Sequence, residues 1–318
     1  MKILVTGGAG FLGARLIEAL LTPAARDLLS VDGTLVSADL GPCPVADPRV
    51  VSHIGDISDP AFIASLIDPD TTLVYHLAAI VSGQAEADFD LGLRVNFDAT
   101  RALLEACRQQ AQTPRFVFAS SLAVFGGPIP EQVPESLAPL PQSSYGAQKA
   151  MAELLINDYS RKGFVNGRVC RLPTISVRPG KPNAAASSFA SGILREPLAG
   201  EASNCPVPLD TRLWLSSPQT VIDNLLHAAR LDGQALGLRR TLNLPGISVR
   251  VSEMLDSLAR VGGGAARERV SFEPDERVQR IVCSWPGDFD ITRPLQLGFG
   301  VDGDFDSVVR AHQLDLNR

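Results

Sequence analysis

Tyr145 and Lys149, in Ser144-Tyr-Gly-Ala-Gln-Lys149, stand at i and i+4, so a helix would present them on one face. Upstream, Ser120 and Ser121 close the apolar run Arg115-Phe-Val-Phe-Ala-Ser-Ser121. A free phenol has a pKa of about 10 and is a poor base at neutral pH. A neighbouring ammonium favours the phenolate, and so does the positive ring of an oxidised nicotinamide. A tyrosine tuned in this way can take a hydroxyl proton while a hydride leaves the same carbon. Ser121 would hold the reacting oxygen and stabilise its developing charge. These are the parts of an alcohol-oxidation site. Tyr-x-x-x-Lys by itself is a common accident of helices, so its weight depends on a cofactor site elsewhere in the chain.

That site is suggested by the first thirteen residues. Lys2 to Val5 is a short branched apolar run that reads as a buried strand. It breaks into glycines, of which Gly8, Gly10 and Gly13 satisfy G-x-G-x-x-G and Gly7, Gly10 and Gly13 satisfy G-x-x-G-x-x-G. Ala14 to Leu21 follows with helical periodicity. In a strand, turn and helix of this kind, one glycine allows the sharp turn, one lets backbone approach a pyrophosphate, and one lets helix and strand pack closely. The phosphates would rest on unpaired N–H groups at the helix N-terminus. Gly7, Gly10, Phe11, Leu12 and Gly13 are therefore cofactor candidates; a glycine-rich turn without a ligand is the alternative. The acidic partner of the adenosine ribose is expected roughly 20 residues further on, at a strand end. Thr34 to Ala38 is the better second strand, which makes Asp39 the preferred carboxylate. Asp32 is nearer that spacing but precedes the turn at Gly33. Either would repel a 2′-phosphate, so NAD is expected rather than NADP.

The elements that must position these residues alternate along the first half. Strands are expected at Arg49–Ile54, Thr72–Ala79, Arg115–Ser121 and Gly167–Ile175. Helices are expected at Pro60–Ile67, at Leu91–Gln112, which carries Asn96, and from Ser144 to about Arg161. Such alternation predicts an α/β fold, a Rossmann-type doubly wound parallel sheet. Ligands of these sheets bind beyond the C-terminal strand ends, where Asp39, Asp56, Ala78, Ala79, Ser120 and Ser121 fall. His76, inside the fourth strand, reads as a packing residue. Residues 1–177 are expected to form the cofactor domain. Residues 178–318 would form a smaller α+β substrate-binding region, with segments at about 214–245 returning to the first. Within it, helices are expected at Gln219–Leu231, Glu253–Val261 and Asp302–Leu314, and a strand at Arg240–Leu244.

Composition sets the outer bounds. The chain has 318 residues, 45% hydrophobic and 20% charged, which suits a large globular core. A net charge of −6 argues against nucleic-acid or anionic-membrane partners. No run approaches the ~18 apolar residues of a membrane span. Five scattered cysteines without a C-x-x-C indicate neither a disulfide framework nor a zinc site, and no metal is expected. Reduced thiols in a cytoplasm are the simple reading.

Taken together, Thr6-Gly-Gly-Ala-Gly-Phe-Leu-Gly13, Gly55-Asp-Ile57, His76-Leu-Ala-Ala79, Ser120-Ser-Leu-Ala-Val-Phe-Gly126 and Tyr145-x-x-x-Lys149 resemble the extended short-chain dehydrogenase/reductase superfamily. The superfamily usually has a tyrosine where Phe125 stands, a change that leaves Tyr145 untouched. The resemblance implies that Ser121, Tyr145 and Lys149 are catalytic, and that Asp56 and Ile57 flank the adenine. It implies that Leu77, Ala78 and Ala79 line the phosphates and ribose, and that Lys149 also holds the nicotinamide ribose. It sets Pro173 and Thr174 beside the nicotinamide, and Asn96 is grouped with the cofactor residues.

Longer segments, Val81 to Asp90, Arg171 to Ile175, Arg178 to Ser187 and Arg195 to Gly200, look like the D-erythronate dehydrogenase group of that superfamily. This likeness implies NAD-dependent oxidation of the C2 hydroxyl of a small sugar acid to a 2-keto acid, and a homodimer. Alternatives are a nucleotide-sugar epimerase or dehydratase with tightly bound NAD, and a non-enzymatic NAD-sensing regulator. A sugar-acid enzyme must recognise a carboxylate, and the planar fork of arginine suits that task. Arg178 is the preferred candidate and Arg212 the second; Arg178 could instead serve a nucleotide diphosphate. Ser82 and Asn183 are candidates for substrate hydroxyls.

Overall fold

The computed structural model describes residues 1–180, 182 and 184–316. Its centre is a seven-stranded parallel sheet. The first half of the chain supplies β1 (Lys2–Thr6), β2 (Thr34–Asp39), β3 (Val50–Ile54), β4 (Thr71–His76), β5 (Arg115–Ser121) and β6 (Asn166–Leu172). The connecting helices are α1 (Phe11–Leu20), α2 (Pro60–Leu66), α3 (Ser82–Ala87), α4 (Phe89–Leu93), α5 (Ala99–Arg108) and α6 (Ser144–Arg161). A two-residue strand, β7 (Thr174–Ile175), follows β6.

The second half holds α7 (Phe189–Leu198), β8 (Ser203–Asn204), β9 (Arg212–Ser216), α8 (Pro218–Arg230), α9 (Gly233–Leu236), β10 (Thr241–Asn243) and β11 (Ile247–Arg250). It continues with α10 (Val251–Gly262), α11 (Gly264–Arg267), β12 (Val270–Ser271), α12 (Glu276–Val282), α13 (Thr292–Gln296) and α14 (Phe305–Leu316). The sheet order is β10-β6-β5-β4-β1-β2-β3. The chain leaves β1 toward β2 on one side and returns through β4 on the other, so the switch point lies between β1 and β4. Carboxyl ends at such a point open onto the ligand crevice.

Sheets covered on both faces need strands apolar on both sides, and Ile3, Leu4 and Val5 are all fully buried. One face packs with α1 and α8 through residues such as Leu16, Ile17, Val221 and Leu225. The other packs with α2, α5 and α6 through Ile63, Leu103 and Ile156. A separate cluster, which includes Val177, Ile193, Met254, Leu255 and Val308, forms a second core built from the second half of the chain. Among the described residues no helix is long and apolar enough to cross a membrane.

Two expected elements are corrected. The expected single helix over Leu91–Gln112 is α4, a π turn at Arg94–Asp98, and α5, with α3 preceding it unanticipated. Asp88 caps α4 by accepting from the Leu91 N–H at 2.9 Å. The π turn coincides with Asn96, whose amide is drawn toward the backbone of Ile80. The expected strand over Gly167–Ile175 is two strands in two sheets. Pro173, which has no N–H to donate, separates β6 from β7, and β7 pairs with β9 instead.

Candidate active site

The glycine loop is tight for identifiable reasons. Gly7 takes φ +72°, and a Cβ there would lie 2.8 Å from the Ala78 nitrogen. A Cβ on Gly13 would fall 2.1 Å from the Gly7 carbonyl oxygen. Helix α1 therefore starts directly against the end of β1, and no side chain caps its first turn. Uncapped N–H groups at a helix start favour an anion. At the end of β2, Asp39 accepts from the Ala9 N–H at 3.0 Å and from the Leu40 N–H at 2.7 Å. It lines the crevice, whereas Asp32 lies exposed in the turn before β2.

The crevice is a cavity of about 680 Å3. Following the sheet order, its walls carry Asp39, Asp56 and Ile57, then Gly7, Gly10, Phe11, Leu12 and Gly13, then Leu77, Ala78 and Ala79. Beyond β4 come Ser121, Tyr145, Lys149, Pro173 and Thr174, with Ser82 and Arg178 contributed by the segments after β4 and β7. A backbone cradle that a single Cβ would fill, an open helix N-terminus and a strand-end carboxylate suit the diphosphate and ribose of a dinucleotide.

Three elements bring Ser121, Tyr145 and Lys149 together. Ser121 ends β5, and its Oγ accepts from the Ala123 N–H at 3.1 Å. Ser143 caps α6 by accepting from the Gly146 N–H at 3.2 Å. A Cβ on Gly146 would sit 2.1 Å from the Ala123 carbonyl oxygen. The missing side chain at Gly146 thus lets the first turn of α6 press against the backbone just past Ser121. Ser121 is the polar side chain that faces the Tyr145 hydroxyl. Lys149 Nζ donates to the Ala119 carbonyl at 2.9 Å and lies 5.7 Å from the Tyr145 ring centroid.

Burial pushes the Tyr145 phenol up to about 12, opposed by the Ser121 hydroxyl. Burial pushes the Lys149 amine down to about 7, opposed by the Glu153 carboxylate. Both groups are moved toward their neutral forms, so a positive charge arriving beside them would shift the phenol back toward phenolate.

His76 packs as expected. It is fully buried, with its ring nitrogens 2.6 Å from Thr6 Oγ1 and 2.8 Å from Thr100 Oγ1. Burial, aided by Lys149, holds its pKa down at about 3. Phe125 is buried with its ring against the Arg171 guanidinium at 4.6 Å.

The remaining candidates divide. Asn96 does not line the cavity. Its amide accepts from the Ile80 N–H at 2.8 Å and donates to the Ile80 carbonyl at 3.0 Å and to Gln148 at 2.8 Å. It fixes the loop carrying Leu77 to Ala79 from behind. Ser82 lines the cavity, and its hydroxyl also accepts from the Ala186 N–H at 3.2 Å. Arg178 lines the cavity with its N–H donated to Ser191 Oγ at 2.9 Å. Arg212 is a correction: it starts β9 outside the cavity, exposed, with Asp288 at 4.0 Å and Ser248 Oγ at 3.5 Å. Asn183 lies outside the described residues. Polar and aromatic lining residues that were unanticipated include Gln84, Ser187, Ser188, Ser191 and Trp285. Trp285 follows α12, far along the chain, and no local spacing links it to Tyr145.

Known proteins agree with this geometry. Residues 3–212 match the model of the NAD dependent epimerase/dehydratase family. The chain is 54% identical over 322 aligned residues to D-erythronate dehydrogenase of Cupriavidus necator, covering 99% of this chain and 98% of that protein. It is 51% identical to D-erythronate dehydrogenase of Haemophilus influenzae, covering 98% of each. A solved structure described as the nucleoside-diphosphate-sugar epimerase from Agrobacterium tumefaciens superposes with a TM-score of 0.91 at 40% identity, over 99% of this chain and 94% of that one. With its parallel sheet, its glycine cradle and these matches, the chain belongs to the NAD-dependent epimerase/dehydratase family, within the extended short-chain dehydrogenase/reductase superfamily, and is an oxidoreductase that uses NAD.

Proposed function

We propose that the protein oxidises the C2 hydroxyl of a small sugar acid, D-erythronate or a near analogue, to the 2-keto acid. The observation that carries this reading is the meeting of Ser121, Tyr145 and Lys149 in one cavity with the glycine cradle and Arg178. The substrate class comes from the relatives in Cupriavidus necator and Haemophilus influenzae.

NAD, when bound, supplies the hydride acceptor and a positive ring beside Tyr145. Tyr145, as phenolate, takes the C2 hydroxyl proton as the C2 hydrogen leaves with its electron pair. The products are the ketone, NADH and a proton that Tyr145 passes on. Ser121 holds the reacting oxygen, and the Lys149 ammonium favours the phenolate and holds the nicotinamide ribose. Asp39 accepts from the adenosine ribose, and Arg178 receives the substrate carboxylate. In this reading residues 1–177, joined by about 214–245, hold the cofactor, and the rest of 178–318 closes on the acid. A homodimer across α5 and α6 is supported by the exposed apolar Met151 and Leu154 on α6. We assign the enzyme to a cytoplasm, where thiols such as Cys43 and Cys283 stay reduced.

The test is net formation of NADH from NAD and D-erythronate by the purified protein, followed by its near-ultraviolet absorbance, with the keto product identified by mass spectrometry. The Agrobacterium tumefaciens relative, described as an epimerase, favours one second reading, a nucleotide-sugar epimerase. Such an enzyme would return its hydride, so epimerised nucleotide sugar without net NADH from any small sugar acid would replace the dehydrogenase.

A further inference from the structure

Behind the cavity wall, one carboxylate joins the parts of the site. Glu153 lies one helical turn beyond Lys149 on α6 and is 2% exposed. Its Oε1 accepts from the Ser120 hydroxyl at 2.5 Å and from Arg171 Nε at 2.9 Å. Its Oε2 accepts from Arg171 Nη2 at 2.6 Å. Arg171 is 6% exposed and also donates to Asn243 Oδ1 at 3.3 Å. Two adjacent strands, β5 through Ser120 and β6 through Arg171, thus meet on one side chain of α6, and β10 backs Arg171 through Asn243. Ser120 directly precedes Ser121, and α6 carries Tyr145 and Lys149.

We propose that Glu153 is a positioning residue: with Ser120 and Arg171 it fastens α6 to β5, so that Tyr145 stays in register with Ser121. The inference rests on the catalytic reading of Ser121, Tyr145 and Lys149 given above. A buried ion pair is often no more stabilising than apolar side chains of similar volume. What it adds is direction, since donors from two strands fix both carboxylate oxygens. Proton transfer depends on such placement.

Charge follows from the same geometry. The ionisable groups that meet Lys149 are Tyr145 and Glu153 on its own helix and His76 on β4, with Arg171 on β6 behind Glu153. Burial keeps His76 neutral at ordinary pH. Glu153 is the group that opposes the burial of the Lys149 ammonium.

The test uses the full-length protein with NAD and the acid it oxidises. Glu153→Gln keeps the shape and removes the charge. It should lower kcat by roughly 10- to 100-fold, the scale of a small misplacement at a reacting centre. NAD affinity and KM for the acid should stay near wild type. The acid limb of the kcat/KM profile should move to higher pH, because a weakened ammonium favours the phenolate less. Glu153→Asp keeps the charge but shortens the reach, and should lose kcat without moving that limb. Where Glu153→Gln fails to fold, Ser120→Ala decides: deleting one hydroxyl should lower kcat by about threefold to tenfold, the worth of one hydrogen bond. A folded Glu153→Gln enzyme with wild-type kcat and an unmoved limb overturns the proposal, as does wild-type kcat in Ser120→Ala where Glu153→Gln does not fold. A fully active Tyr145→Phe enzyme would remove the catalytic reading itself. An inactive Tyr145→Phe enzyme beside a normal Glu153→Gln enzyme would remove the brace alone.

Discussion

Burial shifts Tyr145 and Lys149 toward their neutral forms, the ones least useful to an oxidation, which makes both sensitive reporters. Tyr145→Phe is expected to lower kcat by about 10²- to 10⁴-fold, the range for losing a general base, with the NAD dissociation constant nearly unchanged. Normal turnover in that variant would remove Tyr145 from the mechanism. Lys149→Met should lose both rate and NAD affinity and should melt at a higher temperature without cofactor. The sign follows from linkage. The amine falls from its ordinary 10.5 to about 7 on folding, so at pH 6 the folded state carries a buried ammonium at full cost. Between about pH 7 and 10.5 the unfolded chain binds more protons and that cost declines. The melting advantage of Lys149→Met should therefore be greatest near pH 6 and shrink as pH rises, as scanning calorimetry can record. A lower melting temperature at every pH would contradict it.

Asp39→Ala should weaken NAD and relatively improve NADP, by removing an acceptor and a repulsive charge; Asp32→Ala should do neither. These residues are legible because the signals are short-range: a strand end, a helical spacing, a glycine turn. Trp285 and Ser191 carry no such signal and enter the cavity only through tertiary packing.

Among the elements, β5 and α6 have the bounds expected from sequence, Arg115–Ser121 and Ser144–Arg161. A branched apolar strand and a serine-capped helix announce themselves locally. The stretch after α4 is harder. Apolar residues at helical spacing read alike through an α-helix and a π turn, and the widening at Asn96 follows from a contact with Ile80 that is tertiary. The split at Pro173 is hidden because an apolar run does not reveal which sheet it joins. Arg212 misleads for the same reason, since β9 starts at that residue and carries it away from the cavity. The two arginines now make opposite predictions. Arg178→Met should raise KM for the acid by roughly 10- to 150-fold, from losing about 1.5–3 kcal/mol of charged hydrogen bonding, at constant NAD affinity. Arg212→Met should leave both constants alone. Unchanged KM in Arg178→Met would mean that the carboxylate is held elsewhere.

At the scale of the molecule, the sheet is completed late. β10 pairs with β6 through Thr241 to Val169, Leu242 to Cys170 and Asn243 to Arg171. Helix α8 covers one face of the same sheet. Arg168, fully buried, donates to the carbonyls of Ala228 and Leu231 at 2.9 and 2.6 Å. A fragment ending at 177 would have the glycine loop, Tyr145 and Lys149, yet also an open strand edge, a bare apolar face and a guanidinium left with the Asn166 carbonyl but without those of Ala228 and Leu231. Such a fragment should aggregate when expressed alone; a monodisperse peak on size exclusion with a cooperative melt would refute this. During synthesis the same exposure is unavoidable. Until the ribosome has released the chain past about Asn243, the nascent cofactor half resembles a chaperone client more than a finished domain.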